Sequence, residues 1–544
     1  MTEGGNNQDE APAIEAEPTA EIVTDDPSKV GAGPRRPPWR KLWGALDFPR
    51  RWLGERWREV PSDRRADFTR NVAIGLAIEL ALVVFRGAPV LVGVENIASD
   101  LAMRIEVAVA GVERPPIPVG FVNIDEETWR DRRWGGGEPY YAPRNRLAEL
   151  VRFAAAQKPR FVVLDVFVEN PATSDDEAFV KGIEGLDARI DYILIRSLRP
   201  ALPVEQEGSA GLLTAKIQPS RLDDFVRTHP NFHIAAPYFQ TSRDGLVRSW
   251  RLWTVGCRVS DEASERGRLE VLPSVQLVVA ALNRPGDPVR ARRVLATAMK
   301  TEGACASGPA GLAGEGDLRR DAETAQERIG AQIADAGLVP GLKGRGVEDG
   351  GRSRILYRYP SSGAFASTPT VSAGSVLDGA PASPAWNKQA FQKVTRGGVI
   401  IIGQSSDASG DIHPTPLGAE PGSMIVLNAI ASALNPGVIG EPSPLFEKGF
   451  IFWNIVIVGW VFACADSIVA NAAAVVVVFG LLAPLSFLLL QAGYWLDFAL
   501  PLAGIAIHRA IKELEEKIGH RLFGQGPHNG LHEQPAELHL HPDA

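Results

Sequence analysis

Hydrophobic positions follow two patterns along this chain, and the change from one to the other divides it. Residues 72–85 are almost wholly apolar apart from Glu79, and with Arg86 and residues 88–94 the run reaches the length needed to cross a bilayer, roughly 20 residues. Near the other end, residues 449–465 and 468–490 are two more such runs, separated by Asp466 and Ser467. A third, 494–507, is shorter and carries Asp497 and Pro501. This pattern predicts four membrane-spanning helices, one before a long middle region (residues 96–445) and three after it. Buried helices of a soluble protein are the alternative, and the uncharged run 468–490 argues against them. The first run begins far from the N-terminus and no small-x-small site comes after it, so it reads as an uncleaved anchor.

In the middle region the apolar runs are short and alternate with amphipathic stretches. Residues 118–124 read as a strand, 143–157 as a helix with Leu147, Leu150, Val151 and Ala154 on one face, and 160–168 as a near-continuous apolar strand. A helix opened by acidic residues (175–186) and a strand (192–196) come next. Strand–helix–strand alternation at this spacing predicts right-handed crossovers and a parallel sheet. Further strands are expected at 232–236, 246–259, 355–359 and 398–403, and helices at 273–282 and 423–434. Residues 303–354, rich in Gly, Ala and charge, read as a variable insertion or long loop with a helix near 321–336.

Charge adds an orientation. The net charge of −8 averages blocks of opposite sign. Residues 1–34 are acidic, poor in apolar side chains, and expected to be disordered. Arginine and lysine crowd residues 35–70 and recur after the last run at Arg509, Lys512, Lys517 and Arg521. The positive-inside rule then puts both termini in the cytoplasm and exports the middle region. This topological reading accounts for the basic flank without nucleic acid. Within it, Trp39, Leu42, Trp43, Leu46, Trp52, Leu53 and Trp57 recur among arginines, as in helices lying on an anionic membrane surface. Docking onto a partner protein is the rival reading. Inside the expected spans, Arg86 and Asp497 fall at similar depth and could pair, or each could snorkel to the interface. Glu79 has no evident cationic partner in the sequence.

The middle region carries a series of short motifs in a fixed order: Val122-Asn123-Ile124-Asp125-Glu126, Pro143-Arg144, Val163-Leu164-Asp165-Val166-Phe167, Asp175-Asp176, Asp244-Gly245-Leu246-Val247-Arg248, Gly403-Gln404-Ser405 and Asp411-Ile412-His413-Pro414-Thr415-Pro416-Leu417. With Asp100 and Arg104 before them and Pro421, Gly422 and Asn428 after, they resemble the CHASE2 extracellular sensory domain of bacteria over residues 100–436. The three closing apolar runs match that family's membrane module. The resemblance implies an α/β protein: a periplasmic sensor domain with a largely parallel sheet flanked by helices, plus four transmembrane helices, in the inner membrane. It also implies a ligand- or stress-sensing input that commonly feeds a cyclase or kinase. Here residues 508–523 resemble the start of a signalling helix, and residues 524–544 are too few for a catalytic domain. The expected reading is a sensor that passes an extracytoplasmic signal, from an unidentified small ligand, to a separate cytoplasmic signalling protein. A scaffold that kept the sensor fold is the alternative. Dimerisation is implied by the resemblance alone.

Candidate chemistry is sparse. Asp125, Asp165 and Asp411 lie at or near the carboxyl ends of expected strands, where ligands bind in open α/β sheets. If the strands are neighbours, the three carboxylates converge and could hold a cation or cationic ligand, or orient a polar one. The alternative is that each caps a turn or a helix. Glu126, Ser405 and Thr415 are weaker candidates on the same logic. Cys257 and Cys305 could form a disulfide in an oxidising periplasm, while Cys464 falls within an expected span. His528, His532, His539 and His541 match no closed zinc spacing. No P-loop, Ser-centred elbow or metal motif is present, so neither an enzyme nor a cofactor is expected.

Overall fold

The computed structural model describes residues 61–85, 88–110, 115–132, 134, 142–168, 173–196, 215–217, 221–237, 239–258, 267–284, 286–300, 304–305, 324, 327–339, 353–361, 368–378, 388–406, 409–434, 444–464 and 483–491, with 476, 507, 514 and 518 as isolated positions. The chain divides into two compact units, Met1–Ala66 and Asp67–Ala544. Of the first, only residues 61–66, the start of a helix, are described. The second holds the sheets and the core.

Its strands, in chain order, are β1 (Val119–Ile124), β2 (Phe161–Asp165), β3 (Asp191–Ile195), β4 (Ala215–Ile217), β5 (Phe232–Ala235), β6 (Phe239–Thr241), β7 (Val247–Trp250), β8 (Trp253–Arg258), β9 (Gly267–Pro273), β10 (Ala304–Cys305), β11 (Ser353–Arg354), β12 (Thr370–Ser372), β13 (Val399–Gln404), β14 (Ile412–Thr415) and β15 (Gly418–Pro421). Six of them form the main sheet in the order β12-β1-β13-β2-β3-β5. Every pairing in it is parallel, as the strand–helix–strand alternation predicts. The sheet is covered on both faces. Val122, Val162, Leu164, Ile400 and Ile402 pack with Leu147, Phe179 and Phe391 of crossover helices on one side. Phe121, Phe161, Val163, Val399 and Ile401 pack with the helices Val275–Leu282 and Gly422–Leu434 on the other. Burial on both faces explains why β2 and β13 read as unbroken apolar runs.

Within residues 303–354 a helix is present at 327–335, inside the stretch 321–336 where one is expected, and it buries Ile329 and Ile333 in the main core. The structure revises three expectations. Residues 355–359 are not a strand, although they are buried. Side chains take over their backbone bonds, since Ser432 Oγ accepts from Leu356 N at 3.0 Å and Asn428 Oδ1 accepts from Arg358 N and Tyr359 N at 2.9 and 3.0 Å. Cys257 and Cys305 lie on β8 and β10, with β9 between them. Two strand spacings, about 9.5 Å, exceed the roughly 7 Å between Cα atoms that a disulfide tolerates, so the backbone holds these cysteines apart.

The third revision concerns the first apolar run. It is two helices, Ser62–Val84 and Pro89–Ala110, rather than one, and the second extends well into the region expected to be exported. Among the described residues no helix is long and apolar enough to cross a membrane. The run 449–465 lies in the helix Pro444–Cys464, which packs against Ser62–Val84: Ile455 reaches Gly75, and Gly459 meets Val72 and Phe68. Most of 468–490 and 494–507, together with the flank 35–60, the tail histidines, Arg86 and Asp497, lies outside the described residues.

Candidate functional site: a cleft at the carboxyl edge of the sheet

Because all six strands of the main sheet are parallel, their carboxyl ends share one edge. Asp165 closes β2, and Gln404 closes its neighbour β13. The chain then turns and returns as the hairpin β14–β15, which carries Asp411 at its base and His413 one alternation further, on the same face. Asp165, Gln404, Ser409, Asp411 and His413 line one part of a cleft of about 400 Å³. Phe167, Phe239, Val247, Ile425 and Val426 supply apolar wall. A volume of this order suits a small molecule.

Close approach at two glycines builds the polar end. A Cβ on Gly403 would lie 1.8 Å from Ser423 Oγ, so only glycine lets the helix Gly422–Leu434 start against β13. Ser423 Oγ thereby reaches Asp165 and donates to Oδ2 at 2.7 Å. A Cβ on Gly422 would lie within 2.6 Å of both Asp411 carboxylate oxygens. Asp411 is thus held at the start of that helix, where the dipole favours a negative charge, and its carbonyl accepts from Gly422 N at 2.8 Å. Its Oδ1 is 3.1 Å from His413 Nε2.

These contacts set the titration. Burial and the facing Asp411 carboxylate push Asp165 up to about 7, against the opposing pull of Ser423 and His413. His413 is raised above the usual imidazole value by its hydrogen bond to Asp411, with burial opposing and the charges of Asp411 and Asp165 adding to it.

The three expected carboxylates do not all converge. Asp165 and Asp411 line the cleft, whereas Asp125 caps the helix Glu126–Arg130, accepting from Thr128 N and Oγ1 at 2.9 and 2.6 Å. Glu126 accepts from Ser406 Oγ at 2.6 Å and pairs with Arg130, which ties that helix to the loop after β13. Ser405 lies beside β1, its N–H directed at Ile124 O at 3.4 Å. Thr415 closes the hairpin turn, donating to Gly418 O at 2.8 Å. None of these four lines the cleft. His413 and Gln404 in the cleft lining, and Ser423 bonded to Asp165, are candidate site residues that the sequence reading does not single out. The i, i+2 spacing of Asp411 and His413 on a short strand was the available signal for the histidine.

The cleft walls lie close in sequence to residues that grip the helix Pro89–Ala110. Val247 lines the cleft, and its neighbour Arg248 forms a bidentate pair with Asp100 of that helix and also binds Asp244, with contacts of 2.6–3.1 Å. The hairpin that carries His413 offers Pro416 O, at its turn, to Arg104 Nε at 2.7 Å. Ile425 and Val426 precede Asn428, which fixes Arg358 N, and the Arg358 guanidinium pairs with Glu106 at 2.8 Å.

The CHASE2 domain family model matches residues 75–465, most of the chain and all of this architecture. The chain belongs to the CHASE2 domain family. Its matched region is therefore a sensory domain of the extracellular type. The match runs from within the helix Ser62–Val84 to just past Pro444–Cys464, so the helices flanking the sheet belong to the CHASE2 unit. No curated protein and no solved structure matches the chain.

Proposed function

We propose that this CHASE2 protein is a bacterial membrane sensor that binds an extracytoplasmic small ligand in the Asp165–Asp411 cleft and signals to a separate cytoplasmic protein. The observation that carries the reading is the placement of the cleft walls. Val247, the β14–β15 hairpin and the helix Gly422–Leu434 each border the cleft and each lead within a few residues to a tie on the helix Pro89–Ala110. A ligand that binds one arrangement of these walls better than another shifts the position of that helix. The apolar runs at 72–94 and 449–507 and the flanking arginines support insertion in the inner membrane with both termini inside. The Trp/Arg-rich flank 35–70 and the segment 508–544 are the proposed cytoplasmic contacts, with a homodimer as the working assembly. The role is binding, without a catalytic step.

The test is hydrogen exchange of the full chain in lipid nanodiscs against a metabolite panel, alongside pull-downs with residues 1–70 and 508–544 as baits. Ligand-dependent protection of Pro89–Ala110 together with a captured partner supports the reading. No response to any ligand and no partner would favour an envelope scaffold.

A further inference from the structure

The charge balance of the cleft narrows its ligand. Its lining holds two carboxylates, one imidazole and neither lysine nor arginine. An anionic ligand would meet Asp165 and Asp411 with only the His413 imidazole, already engaged by Asp411, to offset them. A neutral one would leave Asp165 protonated beside the Asp411–His413 pair and draw no charge interaction from either carboxylate. A bare metal ion fits poorly. Among the described residues no three His, Cys, Asp or Glu side chains stand close enough to hold one, and a cleft of about 400 Å³ is far larger than an ion needs. What remains is a positive head group on an apolar body. The head belongs between Asp165 and Asp411. The body belongs against Phe239, Val247, Ile425 and Val426, with the partly exposed Phe167 at the rim. Aromatic rims also attract cations through their ring faces.

We propose that the cleft binds a small organic ammonium ion, its head held by the Asp165 and Asp411 carboxylates and its apolar body by the Phe239–Val426 wall. This rests on the sensor reading and specifies its ligand class. A proton linkage accompanies it. The groups facing Asp165 are Asp411 and His413 from the hairpin, Ser423 from the helix Gly422–Leu434, and Gln404 at the end of β13. A bound cation requires Asp165 ionised and competes with protonated His413 for Asp411. Binding therefore releases protons and strengthens as pH rises through neutrality.

The experiment uses the full chain in nanodiscs with hexylammonium, hexanol and hexanoate as probes, read by thermal shift and titration calorimetry at pH 6 and pH 8. Hexylammonium should bind on the order of tenfold more tightly at pH 8 than at pH 6, since each pH unit below a required ionisation costs up to tenfold. Hexanol should bind at least on the order of tenfold more weakly, and hexanoate not at all. Calorimetry in two buffers of different ionisation enthalpy should register proton release. Asp165→Asn should abolish hexylammonium binding. Should that variant fold poorly, Phe167→Ala at the exposed rim should weaken hexylammonium while sparing methylammonium, and His413→Gln should keep binding with a shallower pH dependence. Binding of hexanol or hexanoate as tight as that of hexylammonium overturns the proposal. So does ammonium binding that survives Asp165→Asn unchanged. If neutral or anionic ligands bind and protect Pro89–Ala110, the sensor reading stands while the ammonium assignment falls. If hexylammonium binds as expected but neither it nor any panel member moves that helix, the ammonium assignment stands and the sensor reading falls; if no probe binds at all, the ammonium assignment falls.

Discussion

Asp125 and Asp165 show how two residues with the same sequence signature part company. Each ends an apolar strand, but Asp125 is followed by Glu126-Glu127-Thr128, and a Thr three residues on lets it cap a helix. Asp165 is followed by Val166-Phe167-Val168, which starts no helix, so its carboxyl stays at the sheet edge for Ser423 and the cleft. That difference was legible in the sequence. The raised pKa was not, because Asp411 is a distant residue brought close by the fold. The raised value has a stability consequence. Asp165 holds its proton to about pH 7 in the native state but only to about 3.9 in the unfolded chain. Its contribution is therefore full below pH 4 and lost as pH climbs through 7. His413, also raised, acts in the same direction above its unfolded value. The melting temperature should fall between pH 5.5 and pH 8 by more in the native protein than in Asp165→Asn, as calorimetric scans would register. Identical slopes would mean that Asp165 ionises normally. Gly403→Ala tests the neighbouring contact. Its Cβ would displace Ser423 from Asp165, and overpacking of this kind costs about 1–3 kcal/mol, measurable as a lowered unfolding temperature.

Among the elements, the parallel sheet was the most legible and the segment 355–359 the least. Strands β1, β2, β3, β5 and β13 announce themselves because burial on both faces demands continuous apolar runs. Ile355, Leu356, Tyr357 and Tyr359 are equally apolar and equally buried, but only Ile355 N still reaches a strand, at Arg248 O of β7, and the backbone N–H groups of Leu356, Arg358 and Tyr359 go instead to the side chains of Ser432 and Asn428. Hydropathy cannot distinguish the two. Asn428 is wholly buried and also donates from Nδ2 to Tyr359 O and Met424 O at 2.9 and 2.8 Å. Asn428→Ala would leave the N–H groups of Arg358 and Tyr359 without their acceptor, at about 1–3 kcal/mol for each. We expect amide exchange of residues 355–361 to accelerate markedly in this variant while β13 stays protected. The helix Pro89–Ala110 is held differently, by charge. Its Asp100 pairs with the nearly inaccessible Arg248. Removing one partner of a buried pair costs about 3–5 kcal/mol, and Asp244 remains to Arg248, so Asp100→Ala should fall toward the lower end of that range. Loosening should be confined to Pro89–Ala110, and proteolysis near residues 85–88 should quicken.

At the scale of the whole molecule, the decisive fact is strand order. β13 inserts between β1 and β2, although it comes more than two hundred residues after β2. Local periodicity carries no information about such an insertion, so the sequence could place Asp165 and Asp411 at strand ends without showing that they share a cleft. The same insertion brings the β14–β15 hairpin between the cleft and the helix Pro89–Ala110, and this makes coupling testable apart from binding. Arg104 touches the hairpin at Pro416 O, at the far end from His413, and is not among the residues lining the cleft. Arg104→Ala should therefore leave ligand affinity nearly unchanged, since the hydrogen bond it removes, worth about 1.5–3 kcal/mol for a charged donor, bears on the helix side and touches no residue of the cleft lining. Ligand-induced protection of Pro89–Ala110 should nevertheless drop in hydrogen exchange. Combining Arg104→Ala with Asp100→Ala removes the hairpin and β7 ties together and should abolish that protection while the cleft still fills. If the double variant transmits as well as the native protein, the remaining Glu106–Arg358 tie carries the signal, and the helix Gly422–Leu434 rather than the hairpin is the moving part.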